Sequence, residues 1–354
     1  MKIMLPIQHP AWVHQFRPLI ERFRARGDQV YVMVCKKDGD TELLQAMGIP
    51  YTLLSNTTGK GVLQKGWLFF WLTLKDVFYA LKYRPDVVMG RASPMLCIAG
   101  WVRGRRMIVF EDTEVSRFSL RVCKLFAQRI ITSESFLWDL GPRQERVHTY
   151  KEMFYLHPSV FTPDASIPAR YGIDTGAPYI VVRFVAWNAS HDVGLHGLSD
   201  EEKRRYVKAL ERFGRVYVTS EAPLPPDLEG YRLPTPYQAI HHVLAFATLI
   251  FSEGATVASE AAVLGTHAVY INPIVLGYVK ELEEKYDLLY AFPTGADRYE
   301  RALGKAQELL ADPRLREKGK QKQAAVLDGV MDINQYLMKL ADEEFARHQT
   351  NADA

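Results

Sequence analysis

Cysteine is nearly missing from this chain of 354 residues: Cys35, Cys97 and Cys123 stand far apart and outside any CxxC or Cys/His spacing. That pattern excludes a disulfide framework and a structural zinc site, and it suits a reducing compartment. A sizeable net charge is missing as well. The 44 Lys and Arg nearly cancel 41 Asp and Glu, leaving +3, so no nucleic acid or other polyelectrolyte is expected as a partner. No uninterrupted apolar run reaches the roughly 18 residues of a membrane span. The opening MKIMLPIQHP is too short in its apolar part for a secretion signal and reads as a first strand, so a cytoplasmic protein is expected. Short repeats and low-complexity runs are lacking, and the final HQTNADA has nothing to bury. Gly59-Lys60-Gly61 lacks the other residues of a phosphate-binding P-loop. Asp38-Gly39-Asp40 has DxD spacing, but two aspartates around a glycine in a loop read first as a turn and helix start, so no metal is expected.

What is present is material for two cores: 48% apolar and 24% charged residues over a length that exceeds one ordinary domain. Short β-branched runs alternate with helical patterns, the signature of βαβ units. Strands are expected at 2–7, 29–34, 51–54, 86–89, 106–110 and 129–132, with helices starting near Trp12, Thr41, Val62, Pro94, Ser116 and Ser135. Prolines 158, 163 and 168 interrupt the periodicity and mark a linker. Beyond it, strands are expected at 179–185, 215–219, 248–251, 268–271 and 288–291, followed by a nearly all-helical end. The expected fold class is α/β: two Rossmann-like doubly wound parallel-sheet domains facing across a cleft. Residues 1–160 would form the first, 161–330 the second, and 331–354 a C-terminal helix and tail able to cross back to the first.

In such folds ligands sit at the carboxyl ends of strands. Ser252 to Gly265, SEGATVASEAAVLG, follows the apolar run TLIF and opens a helix. Gly254 lets backbone approach a ligand there. The amides of Ala255 and Thr256 and the positive helix end suit a diphosphate. Glu260, about one and a half turns in, offers a carboxylate that can accept two ribose hydroxyls. The plainer reading makes Ser252 a helix cap and Glu260 part of a solvated face. After the first strand of the second half comes RFVAWNASHDVG. There Arg183 can pair with a diphosphate, Asn188 and Ser190 can donate, and His191 can titrate near neutrality; a solvated loop looks similar.

The segment SEGATVASEAAVLGTHAVYINP resembles the donor-binding segment of two-lobed GT-B glycosyltransferases, notably the N-acetylglucosaminyltransferase that makes lipid II. In order along the chain, HPAWVHQFRPL, FEDTE, RFVAWNASHDVG and SEGATVASEAAVLG look like the domain-of-unknown-function 354 family of bacteria and archaea. The resemblance implies a GT-B-like fold and a UDP-sugar donor, with Glu260 on the uridine ribose. Sugar transfer needs a group to take the acceptor's proton. Glu111 and Asp112 after the fifth expected strand are the first candidates, although a capping cluster at the next helix looks the same; His14, within the first expected helix, lies where the equivalent histidine-bearing loop of GT-B transferases meets the acceptor, and an ordinary helical surface histidine reads alike. Gln8, His9, Arg91, Ser93 and Glu114 are placed around them. A hydrolysing UDP-N-acetylglucosamine 2-epimerase is the rival activity, although such enzymes carry an acid after the fourth strand where this chain reads MGRASP. A non-catalytic nucleotide-sugar-binding or assembly protein is a third reading. Either way the donor is a substrate, and no cofactor is expected.

Gly61 to Arg84, GVLQKGWLFFWLTLKDVFYALKYR, is aromatic and basic but too interrupted to span a bilayer. It reads as a core helix, or as a surface that touches the inner face of a membrane to meet a lipid-linked acceptor. Trp67, Phe70 and Trp71 decide between the two by being buried or exposed.

Overall fold

The structure, a computed structural model, describes residues 1–36, 39–56, 61–186 and 197–350. Asn188, Ser190, His191 and Asp38 lie outside them, as do Gly59 and Lys60. The chain divides into two compact units, Met1–Val160 with Met331–Ala354, and Phe161–Val330.

The first unit is built on seven strands: β1 (Lys2–Ile7), β2 (Gln29–Cys35), β3 (Tyr51–Ser55), β4 (Val87–Arg91), β5 (Ile108–Phe110), β6 (Arg129–Ser133) and β7 (Gln144–Val147). They pair in the order β3-β2-β1-β4-β5-β6-β7, every pair parallel. Strands buried on both faces need continuous apolar runs, and β1 supplies one, with Ile3 to Ile7 all buried. One layer of helices comprises α1 (Pro10–Ala25), α2 (Asp40–Ala46) and α6 (Met153–Leu156), with α14 (Ile333–Thr350) packed on α1 and α6. Asn334 secures α14 by donating to the Phe154 carbonyl at 2.8 Å. The other layer comprises α3 (Gly61–Tyr83), α4 (Pro94–Val102) and α5 (Arg117–Phe126), whose Leu72, Leu96 and Leu120 share a core with Met4, Val88 and Val109 of the sheet.

Two expectations are corrected here. No helix starts near Ser135: residues 135–140 form turns that bury Phe136 and Leu140, and they lead into β7, a strand the sequence does not announce. The segment QERV carries three polar residues because β7 is an edge strand with one neighbour, so only Val147 of the four is buried. The first helix starts at Pro10, two residues before Trp12. His9 caps it by accepting from the Ala11 amide at 3.1 Å, and Pro10 fits the first turn, where its missing N–H costs nothing.

The second unit opens with α7 (Ser166–Ala169) and then carries five parallel strands: β8 (Tyr179–Phe184), β9 (Arg215–Ser220), β10 (Leu249–Ser252), β11 (Ala268–Tyr270) and β12 (Leu289–Ala291). Their order is β12-β11-β10-β8-β9. Its helices are α8 (Asp200–Leu210), α9 (Ile240–Phe246), α10 (Ala255–Val263), α11 (Gly277–Glu284), α12 (Arg298–Leu310) and α13 (Leu315–Leu327). Counted from β8, this order is the doubly wound 2-1-3-4-5 type. Successive connections leave β8 to one side toward β9 and cross to the other side at β10. The carboxyl ends of β8 and β10 therefore flank the topological switch point, where the two connecting loops part and leave a crevice.

Candidate functional site

In the second unit the switch point brings together the loop after β8 and the start of α10. Glu253, buried between Ser252 and Gly254, is the residue that joins them. Its Oε2 accepts from Val185 N at 3.1 Å and its Oε1 from Leu198 N at 2.9 Å, so one carboxylate holds both sides of the interval that contains Asn188, Ser190 and His191. Asn272, beyond β11, donates to the Glu253 carbonyl at 3.1 Å. The sequence reading passed over Glu253. The signal was a lone acid at a strand end, followed at once by a glycine.

Among the described residues no side chain caps the N-terminus of α10. Ser252 turns back instead: its hydroxyl accepts from Gly254 N at 3.0 Å and donates to the Gly254 carbonyl at 2.8 Å. Ser252 is thus a buried brace of the turn, and the helix cap is Gly254. Gly254 is extended, so no unusual dihedral demands a glycine; space does, since a Cβ would stand 3.3 Å from Val185 Cγ1. Ala255 is half-buried and Thr256 exposed, which leaves the first helical amides within reach of solvent. At the other end, Gln323 and Lys320 of α13 donate to the carbonyls of Val263 and Leu264. The helix therefore meets a cation at its negative end and keeps its positive end open, an arrangement suited to an anion.

Glu260 is 3% exposed, so the solvated-face alternative for it is set aside. Its Oε1 lies 3.1 Å from His241 Nε2 on α9, which orients the carboxylate. Tyr237, just before α9, feels the charges of Glu260, Arg183 and Glu221. Arg183, at the end of β8, pairs with Glu221 at 2.7 Å, and Glu221 also accepts from Ala186 N at 3.1 Å.

The first unit has its own cluster at the carboxyl ends of its strands. Arg91 ends β4, and its guanidinium binds Glu111 through Nη2, Asp112 at 2.7 Å through Nη1, Thr113 at 3.1 Å and Gln15 of α1 at 3.3 Å. Trp12 lies against it, the ring centroid 5.9 Å from Cζ. Lys151 approaches Asp112 at 3.5 Å and Glu152 at 2.7 Å. Burial raises the Glu111 carboxyl, with Arg91 opposing and Asp112 adding to the rise. Burial acts on Asp112 in the same direction, yet Arg91, Lys151 and Thr113 outweigh it and hold that carboxyl below its usual value. The two carboxyls are thus shifted apart, Glu111 upward and Asp112 downward. Glu114 accepts from Leu137 N at 3.1 Å. Gln8 donates to Ser93 at 2.9 Å, bridging the ends of β1 and β4, the switch point of this sheet. His14 lies half-buried on α1, beside Gln15 in sequence. Among the described residues no group of three or more His, Cys, Asp or Glu could hold a metal ion.

These two switch-point sites can be set beside known structures. The UDP-N-acetylglucosamine 2-epimerase of Neisseria meningitidis bound to UDP-N-acetylglucosamine matches with a TM-score of 0.68 and 11% identity, over 96% of this chain and 100% of that one. The glycosyltransferase VinC in complex with dTDP matches at 0.67 and 12% identity, over 98% and 100%. The spinosyn rhamnosyltransferase SpnG complexed with spinosyn aglycone matches at 0.60 and 12%, over 96% and 99%. The fold is that of GT-B glycosyltransferases and UDP-N-acetylglucosamine 2-epimerases. No protein-family model matches the chain, and no curated protein matches its sequence. The likeness to the domain-of-unknown-function 354 family accordingly stays with the four sequence segments that carry it.

Proposed function

We propose that the protein is a metal-independent glycosyltransferase that takes a sugar from a UDP-sugar, with α10 as its nucleotide handle. The observation that carries this reading is the pairing, on one helix at a switch point, of an uncapped N-terminus with a buried, histidine-held glutamate. The amides at Ala255 and Thr256 would take the diphosphate, Arg183 would add a cation, and the Glu260 carboxylate, oriented by His241, would accept the ribose hydroxyls. In the transfer step an acceptor oxygen bonds to the anomeric carbon, the bond from that carbon to the phosphate oxygen breaks, and UDP leaves with the electron pair. The acceptor's proton passes to a carboxylate. Glu111, whose raised pKa makes its ionised form the stronger base of the two acids, is the proposed recipient, with Arg91 and Asp112 fixing its position. The fold neighbours support sugar-nucleotide chemistry in general.

Calorimetric titration of the full chain with UDP tests the handle: binding that weakens at least tenfold in Glu260→Ala supports it, and no binding by the unaltered chain overturns it. Incubation with UDP-N-acetylglucosamine, with and without a lipid extract as acceptor source, separates the activities. Release of UDP only with the extract marks a transferase. Release of UDP and free sugar without it marks a hydrolysing epimerase, and no release with retained binding marks a binding protein.

A further inference from the structure

The helix α3 is 23 residues long, and its apolar side chains divide unequally between core and solvent. Leu72 and Ala80 face the sheet at a spacing of two turns. Trp67, Phe70, Trp71, Leu74 and Phe78, spaced by three and four residues, share the opposite face and are 63%, 52%, 46%, 43% and 59% exposed. Of the two readings of this helix, the one that places Trp67, Phe70 and Trp71 in the core is therefore set aside. Trp67 and Trp71 pack edge to face at 5.7 Å, and Phe69 meets Phe118 of α5 at 6.0 Å, so the surface continues onto the next helix. On α5, Phe118 and Leu125 are exposed too, more than halfway each.

Charge says what such a face would meet. Residues 61–127 hold five acids, Asp76, Asp86, Glu111, Asp112 and Glu114, and none is exposed. Exposed bases are frequent: Lys65, Lys82 and Arg84 on or beside α3, and Arg117, Arg121 and Lys124 on α5. Among the described residues none of these six is in an ion pair. Arg117, Arg121 and Lys124 line a depression of about 360 Å³ with Trp138 at its wall and Asp139 as its one acid. Arg117 lies over the Trp138 ring, 5.2 Å from its centroid.

We propose that the face formed by α3 and α5 docks on an anionic lipid surface, with the aromatic rings entering the headgroup boundary and the bases meeting lipid phosphates. A row of aromatic and aliphatic side chains with lysine and arginine beside it is the composition of an interfacial helix. No helix of the described residues is long and apolar enough to cross a membrane, so the contact is peripheral. A second copy of the chain fits the face less well, because a two-fold contact would set the same bases against one another. The inference is independent of the nucleotide handle and its test uses no nucleotide.

The full chain is sedimented with vesicles of phosphatidylcholine alone, and with vesicles that also contain about 30% phosphatidylglycerol. The expected result is sedimentation with the anionic vesicles only, weakened by raising the salt from about 0.05 to 0.5 M. The variant Trp67→Ser/Phe70→Ser/Trp71→Ser should lower the partition coefficient at least tenfold, and so should Arg117→Glu/Arg121→Glu, each with an unchanged circular dichroism spectrum. A chain that stays in the supernatant with both vesicles overturns the proposal, as does a folded variant that binds like the parent. Elution of the parent at twice its mass, abolished by the aromatic variant, would instead assign the face to self-association and also overturn it.

Discussion

His241 holds Glu260: the imidazole Nε2 stands 3.1 Å from the carboxylate Oε1, and both side chains are largely shielded from solvent. A buried carboxylate that reads two neighbouring hydroxyls has to be fixed in rotation, and a partner on the adjacent helix does this. Glu260→Ala should therefore weaken UDP at least tenfold in calorimetry, while His241→Ala, which leaves the carboxylate but frees its rotation, should weaken it by a smaller factor. UMP should follow the same order. Equal losses for UDP and inorganic diphosphate would place Glu260 outside the ribose site.

Arg91 stands between two carboxylates that are 1% and 2% exposed. Replacing it with methionine preserves much of its bulk and leaves Glu111 and Asp112 facing each other without their shared guanidinium, with Lys151 still 3.5 Å from Asp112. Breaking a buried pair from one side costs about 3–5 kcal/mol, to be read as a shift in the midpoint of urea unfolding. Adding Glu111→Gln to that variant should return part of the loss, because only one buried charge then remains. Arg91→Lys keeps the charge and loses the fork that reaches both acids, so it should fall between the parent and Arg91→Met.

The frame of the fold was legible because parallel strands buried on both faces leave no choice of residue: VYVMV of β2 and YIVV of β8 are strands by composition alone. QERV of β7 was not legible. At a sheet edge the rule of continuous apolar residues lapses, and its pairing with β6 is a tertiary fact. Which face of α3 is buried was left open for a related reason. Periodicity reports how many apolar faces a helix has, and α3 has two, of which the sheet takes one. At the site, SEGAT was visible because a small-residue segment after a strand has few structural explanations. The clasp of Glu253 on Val185 and Leu198 was hidden by the long sequence separation of its partners.

The open N-terminus of α10 depends on how its other end is anchored. Gly265 closes the helix with φ +79°, and α13 crosses so closely that a Cβ on Gly319 would fall 2.3 Å from the Gly265 carbonyl oxygen. Backbone cannot yield there as a flexible side chain would. Gly319→Ala should thus push α13 away from α10 and cost about 1–3 kcal/mol in urea unfolding. Gly304→Ala, on an exposed face of α12, meets nothing within 4 Å and should instead stabilise by up to about 1 kcal/mol, which sets the scale of the helix-propensity gain alone.

His267 gives the stability a pH dependence of predictable sign. It is buried at the foot of β11, with Lys322 Nζ 3.3 Å from Nε2 and the backbone of Gly319 packed nearby. Burial and the Lys322 charge, against weaker help from Asp287 and Asp312, bring its pKa from 6.5 to about 4. Between those values the unfolded chain binds the proton and the folded chain does not, so stability rises with pH across that window. The contribution is present in full above pH 6.5, amounts to roughly 3 kcal/mol, and is lost as the pH falls to about 4. The buried Asp76, whose carboxyl is pushed up to about 8, acts in the opposite direction between pH 5.5 and pH 7 and is common to parent and variant. The urea midpoint at pH 7 minus that at pH 5.5 should therefore be more positive in the parent than in His267→Phe, since a ring of similar size that takes no proton removes the unfolded state's advantage at the lower pH. Equal changes in parent and variant would move this part of the pH dependence away from His267.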